Sequence, residues 1–156
     1  MGGYGVNLAE EGHIVNILAP VDINGGKSCD VFSMANYSHA TIILQLGVTG
    51  GTSVVTLEEC DNFDPTTDTA IAFNYYIETT AAGDTLAART AVTSSGFTTS
   101  ANDGITYVIE VDADELSEGY PCLQLELATP GASVIASAVA ILTGGIKGGI
   151  TPTAII

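Results

Sequence analysis

The sequence predicts an all-β protein, a jelly-roll-like β-sandwich of about eight to ten strands. Its 156 residues include 15 Ile, 12 Val and 19 Thr, and these stiff β-branched side chains favour pleated sheet over helix. Hydrophobic residues make up 46% of the chain and charged residues only 13%, which excludes a disordered solvating chain. No segment shows a 3.6-residue period over ten or more positions, so long helices are not expected.

The strands are predicted from short apolar runs separated by turn residues such as Asn24-Gly25-Gly26, Gly50-Gly51 and Pro130-Gly131. In residues 71–78, 105–112 and 122–128, apolar side chains stand at every second, odd-numbered position. Because successive strand side chains face opposite ways, these odd-numbered residues are predicted to face the core. Taken in order, the predicted strands are residues 13–18, 28–34, 39–46, 53–60, 70–79, 86–93, 105–112, 122–128 and 133–142.

Two runs are apolar on both faces, residues 42–44 and residues 134–142. A strand of this kind is either central in its sheet or covered by another chain, and self-association accounts for both runs. Asp112 precedes a short Ala-Asp-Glu-Leu segment and is predicted to cap one helical turn within a loop.

The predicted domain is residues 13–142, preceded by an N-terminal arm of residues 1–12 and followed by a C-terminal arm of residues 143–156. Both arms are rich in glycine and lack strand periodicity. The C-terminal arm ends in apolar residues, so Ile150, Ile155 and Ile156 are predicted to bind a groove on a partner. Tyr75 and Tyr76 are adjacent in a strand, and the outward one, Tyr76, is predicted to be an interface anchor.

The charge balance excludes several functions. Three Lys and Arg residues stand against 18 Asp and Glu, a formal net charge of -15, so no basic groove is expected for DNA or RNA. The same deficit removes attraction to anionic lipids, and no apolar stretch is long enough to span a bilayer. Residues 1–15 lack the pattern of a signal peptide. Cys29, Cys60 and Cys122 are odd in number and far apart in sequence, which is typical of free buried thiols in a reducing cytoplasm.

No catalytic or cofactor motif emerges from the residues. The histidines, His13 and His39, show no metal-ligand spacing with any cysteine, and no nucleophile elbow or complete phosphate-binding loop is present. Asp61, Asp64 and Asp68 share one loop, but their spacing matches no known calcium loop, and a solvated turn is the simpler interpretation. We therefore expect a protein that is not an enzyme and that binds no cofactor or metal.

Four strings carry a resemblance to a known class of proteins: NYSHAT at 36–41, EECD at 58–61, AIAFNYYIETTAAGDTL at 70–86 and YVIEVDADELSEGYP at 107–121. They resemble small head proteins of tailed bacteriophages, over roughly residues 15–142. The resemblance implies a capsid decoration or cement protein, a β-rich homotrimer that binds the major capsid protein. It also implies that the chain is made in the host cytoplasm and lies on the capsid exterior of the virion. No functional residue is transferred by this resemblance.

Three alternatives remain open from the sequence. A phage tail or head-to-tail structural subunit has the same composition and differs in its place on the virion. A carbohydrate-binding β-module or a glycan-cleaving enzyme would show aromatic or charged groups converging on a concave site.

Overall fold

The computed structural model describes residues 5–145 and 154–155. These residues form a two-sheet sandwich in which every strand pair is antiparallel, and the predicted all-β fold is confirmed. The strands are β1 (His13–Asp22), β2 (Lys27–Ser28), β3 (Phe32–Ser33), β4 (His39–Thr49), β5 (Val54–Cys60), β6 (Asp68–Ile71), β7 (Phe73–Glu78), β8 (Thr90–Val92), β9 (Phe97–Thr98), β10 (Thr106–Asp112), β11 (Cys122–Leu127) and β12 (Val134–Thr143).

Each sheet contains six strands. Sheet A has the order β1-β12-β4-β10-β7-β8, and sheet B has the order β2-β11-β5-β6, with β3 also paired to β11 and β9 to β5. The two runs that are apolar on both faces, residues 42–44 and 134–142, lie in β4 and β12, and both strands are interior strands of sheet A. This confirms the first of the two expectations for such runs, a central place in the sheet.

The described residues contain twelve strands, so the predicted number of eight to ten is too low. Three of the strands have two residues each, β2, β3 and β9, and a period of two cannot be recognised over so short a length. For this reason the predicted strand 28–34 was not recognised as two strands, β2 and β3, and β9 was not predicted.

The predicted strand 70–79 is two strands that belong to different sheets. β6 ends at Ile71, which pairs with Leu57 in sheet B, whereas β7 begins at Phe73, which pairs with Val92 in sheet A. Ile71 and Phe73 both pack on the core despite the change of sheet. Each strand turns its odd-numbered residues inward. The alternation of apolar and polar residues in the sequence therefore continues across Ala72 without a break.

The core lies between the two sheets and is built from the predicted inward rows. Tyr107, Ile109 and Val111 of β10 are each at most 1% exposed. Tyr75 stacks on Phe97, with 4.2 Å between the ring centroids. The prediction that the odd-numbered residues of these runs face the core is confirmed, and Tyr76 consequently points outward.

Helical structure is limited to two short segments of the described residues. One α-helical turn, α1, spans Leu8–Glu11. A 3₁₀ turn spans Ala113–Glu115, with Asp112 as its N-cap in a capping box, and this confirms the predicted cap. Neither segment is long or apolar enough to cross a bilayer.

The described end of the chain returns to the sandwich. Ala154 is fully buried in the main core, and its carbonyl oxygen accepts a hydrogen bond of 2.8 Å from the backbone N–H of Ser33. Ala154 thus adds to the core of its own chain, although it falls within the segment predicted to be an arm.

Candidate interaction surface

The outer face of sheet A carries a row of apolar side chains that crosses four neighbouring strands. Val139 of β12 is opposite Ile43 of β4, Ile43 is opposite Val108 of β10, and Val108 is opposite Tyr76 of β7. Neighbouring strands lie about 4.8 Å apart, so this row is about 14 Å long. We call Val139, Ile43, Val108 and Tyr76 the apolar row. All four are half-buried and face away from the core.

Two isoleucines extend this apolar surface towards the edge of sheet A. Ile14 of β1 is opposite Ile141 of β12 and is 51% exposed. Ile141 lies on the same outward side of β12 as Val139, because the two residues are two positions apart. Single exposed apolar residues are ordinary on a protein surface, whereas a contiguous set of this kind is typical of an interaction site.

A polar cleft adjoins the apolar row at Tyr76. It has a volume of about 450 Å³, and its other lining residues are His39, Thr41, Asn74, Arg89, Glu110, Asp112 and Glu115. Arg89 makes no ion pair with any of the residues that the structure describes. The cleft therefore places His39, Arg89 and three carboxylates along one side of the apolar row.

His39 joins two of these carboxylates. Its Nδ1 atom lies 2.6 Å from Asp112 Oδ1, and its Nε2 atom lies 2.7 Å from Glu110 Oε2. Thr41 Oγ1 donates a second hydrogen bond to the same Glu110 oxygen, at 2.7 Å. Partial burial lowers the pKa of His39, but the hydrogen bonds and charges of Asp112 and Glu110 together outweigh it and hold the pKa above its usual value.

This arrangement is suited to an ion-pair cluster rather than to proton transfer. Both ring nitrogens of His39 already face a carboxylate, so neither is directed at a serine, threonine or cysteine nucleophile. From the sequence, His39 was weighed as a metal ligand, and this cluster was not predicted. The sequence signal for the cluster is that polar residues stand two positions apart, His39 and Thr41 on β4 and Glu110 and Asp112 on β10. The sequence does not show that these two strands pair.

The residues predicted to form an interface fall in different places. Tyr76 lies on the outer face of sheet A, where it belongs to the apolar row and also lines the cleft. Ile155 is 37% exposed and lies beside Asp30, Val31 and Phe63, away from that row. Ile150 and Ile156 lie outside the described residues. The structure thus does not bring Tyr76 and Ile155 together.

The three cysteines are free and buried, as predicted. Burial, reinforced by the carboxylates of Glu126 and Asp30, raises the pKa of Cys29 to about 12. Burial, followed by the charges of Asp68 and Glu58, raises that of Cys60 to about 12 as well. These thiols remain protonated at neutral pH, so neither is a ready nucleophile.

Two of the free cysteines are neighbours in the fold. Cys60 and Cys122 are far apart in sequence but are directly opposed on β5 and β11. They form a small apolar cluster with Val31, against which Phe63 packs. Antiparallel pairing brings them together, and no spacing within the sequence indicates it.

The loop of Asp61, Asp64 and Asp68 is organised by its own hydrogen bonds. Asp61 accepts bonds from the hydroxyl of Thr66 at 2.9 Å and from the backbone N–H groups of Thr66 and Thr67. Desolvation raises the pKa of Asp61, but these hydrogen bonds together outweigh it, so the pKa lies below its usual value. Within the described part of the chain, no three His, Cys, Asp or Glu side chains are placed to hold a metal ion.

The fold and the surface together define an all-antiparallel β-sandwich with an apolar, acid-bordered outer face. No protein-family model and no curated protein matches the sequence. Among solved structures, the chain is similar to the crystal structure of the SPBc2 prophage-derived protein YomS, with 9% identity, 84% of this chain and 93% of that chain covered, and a TM-score of 0.48. What the outer face does is therefore inferred from its own residues.

Proposed function

We propose that the chain is a structural virion protein, a decoration or cement protein that binds the outer surface of an assembled phage head. The observation that carries this proposal is the apolar row on sheet A, where Tyr76 and three aliphatic residues form a continuous outward surface. A cement protein stabilises a shell by repeating a modest contact at every equivalent lattice position, and it needs no reaction centre.

The charge and the sequence resemblance support the same proposal. A net charge of -15 keeps free subunits soluble and disfavours binding to packaged or cellular DNA. The four strings that resemble tailed-phage head proteins suggest the major capsid protein as the partner. We further propose that the chain acts as a homotrimer without catalytic activity and without a cofactor.

Binding to heads tests the proposal directly. Heads assembled from the major capsid protein of the same phage genome are mixed with the purified protein and sedimented. We expect co-sedimentation that saturates at a fixed ratio to the capsid subunit, and a higher temperature of head disruption. Absence of binding by the unmodified protein would contradict the proposed function.

The place of binding separates this function from its nearest alternative. Electron microscopy of decorated virions should show density over the icosahedral shell with local threefold symmetry. Density confined to the tail or to the head-to-tail junction would instead identify a tail or joining subunit. Analytical ultracentrifugation of the free protein tests the trimer independently of the shell.

The cleft beside Tyr76 favours one second candidate, a carbohydrate-binding module. Asn74, Arg89 and Glu110 provide hydrogen-bonding groups next to an aromatic ring, a combination that suits sugar hydroxyls. A glycan array tests it, with Asn74→Ala as the variant expected to lose any signal. Retained shell binding in this variant would separate the two functions.

A further inference from the structure

The two outer faces of the sandwich differ in the chemistry they expose. On sheet A the apolar row is contiguous across β12, β4, β10 and β7. On the outer side of sheet B, Glu58 is opposite Gln124, and Thr56 is opposite Glu126. Of the apolar residues there, Cys60 and Cys122 are already buried with Val31, and Val54 is exposed at the start of β5. Among the described residues, sheet A therefore offers the larger unpartnered apolar surface.

We propose that the outer face of sheet A is the surface that meets the phage shell, and that its occupant is a shell surface with an apolar centre bordered by lysine or arginine. This inference rests on the proposed function. It adds the orientation of the protein on the shell and the chemistry of the patch it recognises.

The border of the apolar row argues for a basic occupant. Glu110, Asp112 and Glu115 lie along one side of the row, and His39 and Arg89 are the cations that line the same cleft. Glu110 and Asp112 are both bonded to His39, and the whole chain is strongly acidic. Cations on the partner would be attracted by this field and would increase the rate of association.

A second copy of the chain is a poorer occupant of this face. The chain has three Lys and Arg residues for 18 Asp and Glu, so two copies meeting through sheet A would bring carboxylate borders together with few cations to pair with them. Like charges juxtaposed across an interface oppose association. Contacts between the copies of a trimer are then made outside the apolar row.

Valine-to-lysine substitutions on the two sheets test the orientation. Val108→Lys places a charge at the middle of the apolar row, and Val54→Lys makes the same change on sheet B, where Val54 is 40% exposed. Binding of each variant to heads is measured by co-sedimentation. We expect Val108→Lys to raise the Kd at least about tenfold and Val54→Lys to change it less than about twofold.

A second pair of measurements protects this test against misfolding and tests the charge of the partner. Val108→Thr, which has nearly the same shape, is measured beside Val108→Lys, and circular dichroism verifies the fold of every variant. Raising NaCl from about 0.05 to 0.5 M should weaken binding of the unmodified protein, because salt screens attraction between exposed charges.

The outcomes separate the two proposals. If the unmodified protein fails to bind heads, the proposed function is wrong. If it binds, and folded Val108→Lys and Val108→Thr bind equally well, the orientation is wrong although the function stands. If salt strengthens binding, the occupant is not basic. If Val108→Lys abolishes self-association in the absence of heads, a second copy occupies the face and the inference is overturned.

Discussion

The imidazole of His39 bridges two strands through Asp112, whose Oδ1 atom lies 2.6 Å from Nδ1. The opposite ring nitrogen is bonded to Glu110 on the same neighbouring strand, β10. A ring that faces a carboxylate on both sides is stabilised in its protonated form, in which both nitrogens donate. The start of β4 and the end of β10 are thus held together by charge as well as by strand pairing.

This bridge makes stability depend on pH. The folded pKa of His39 is raised, so its contribution is fully present below the unfolded value of about 6.5 and is lost as the pH rises through the folded pKa. We expect the difference in unfolding free energy between the unmodified protein and His39→Gln to be largest near pH 6 and to shrink towards pH 9. Urea titrations across this range measure it. A constant difference would contradict the assignment.

Gly96 should tolerate substitution less well than Gly131, although the two glycines have similar φ angles. Gly96 has a φ of 71° and Gly131 a φ of 75°, a region that L-residues rarely adopt. A Cβ atom at Gly96 would overlap the carbonyl of Val55, whereas one at Gly131 meets nothing within 4 Å. We expect Gly131→Ala to cost about 1 kcal/mol and Gly96→Ala about 3 kcal/mol or more. Equal losses in chemical unfolding would argue against the overlap.

The hydroxyl of Tyr107 should matter to stability and that of Tyr76 should not. Tyr107 is 1% exposed, and its hydroxyl oxygen accepts a hydrogen bond of 2.7 Å from the backbone N–H of Ser100. Tyr107→Phe leaves that N–H without its acceptor, which costs about 1–3 kcal/mol. Tyr76→Phe, on the outer face, is the matched control and should change the unfolding free energy by less than about 0.5 kcal/mol. Equal effects in urea titrations would contradict the packing described.

The end of the chain should contribute to the stability of the sandwich. Deleting residues 154–156 removes the buried Ala154 and the acceptor of the Ser33 N–H. We expect the melting temperature to fall by at least about 3 °C. Ile155→Ser, at the exposed neighbour, is the control and should leave it nearly unchanged. An unchanged melting temperature after the deletion would mean that this end contributes nothing to the fold.

Removal of divalent cations should leave the protein unchanged. The carboxylate of Asp61 is engaged by Thr66 and Thr67 within its own loop, so that loop does not need an ion to be ordered. We expect the same melting temperature with and without EDTA. A fall of several degrees that Ca²⁺ reverses would identify a bound cation, since a ligand of the folded state stabilises it by mass action.

The sequence by itself determined the class of fold and the side of each long strand that faces the core. Alternation at residues 105–112 and 122–128 is a local property of the chain, because side chains of one strand always point to opposite faces. The same rule placed Tyr76 outward and Tyr75 inward, and the N-cap at Asp112 was equally local. Of the three two-residue strands, β9 was not predicted and β2 and β3 were predicted as one strand, because so few residues show no period.

Only the tertiary structure decided which strands are neighbours. Val139, Ile43, Val108 and Tyr76 come from four distant parts of the sequence and become one row through the register of three strand pairs. His39 meets Glu110 and Asp112, and Cys60 meets Cys122, for the same reason. Periodicity within a strand carries no information about its partner, whereas pairing depends on packing the whole core, so the candidate surface could not be read from the sequence.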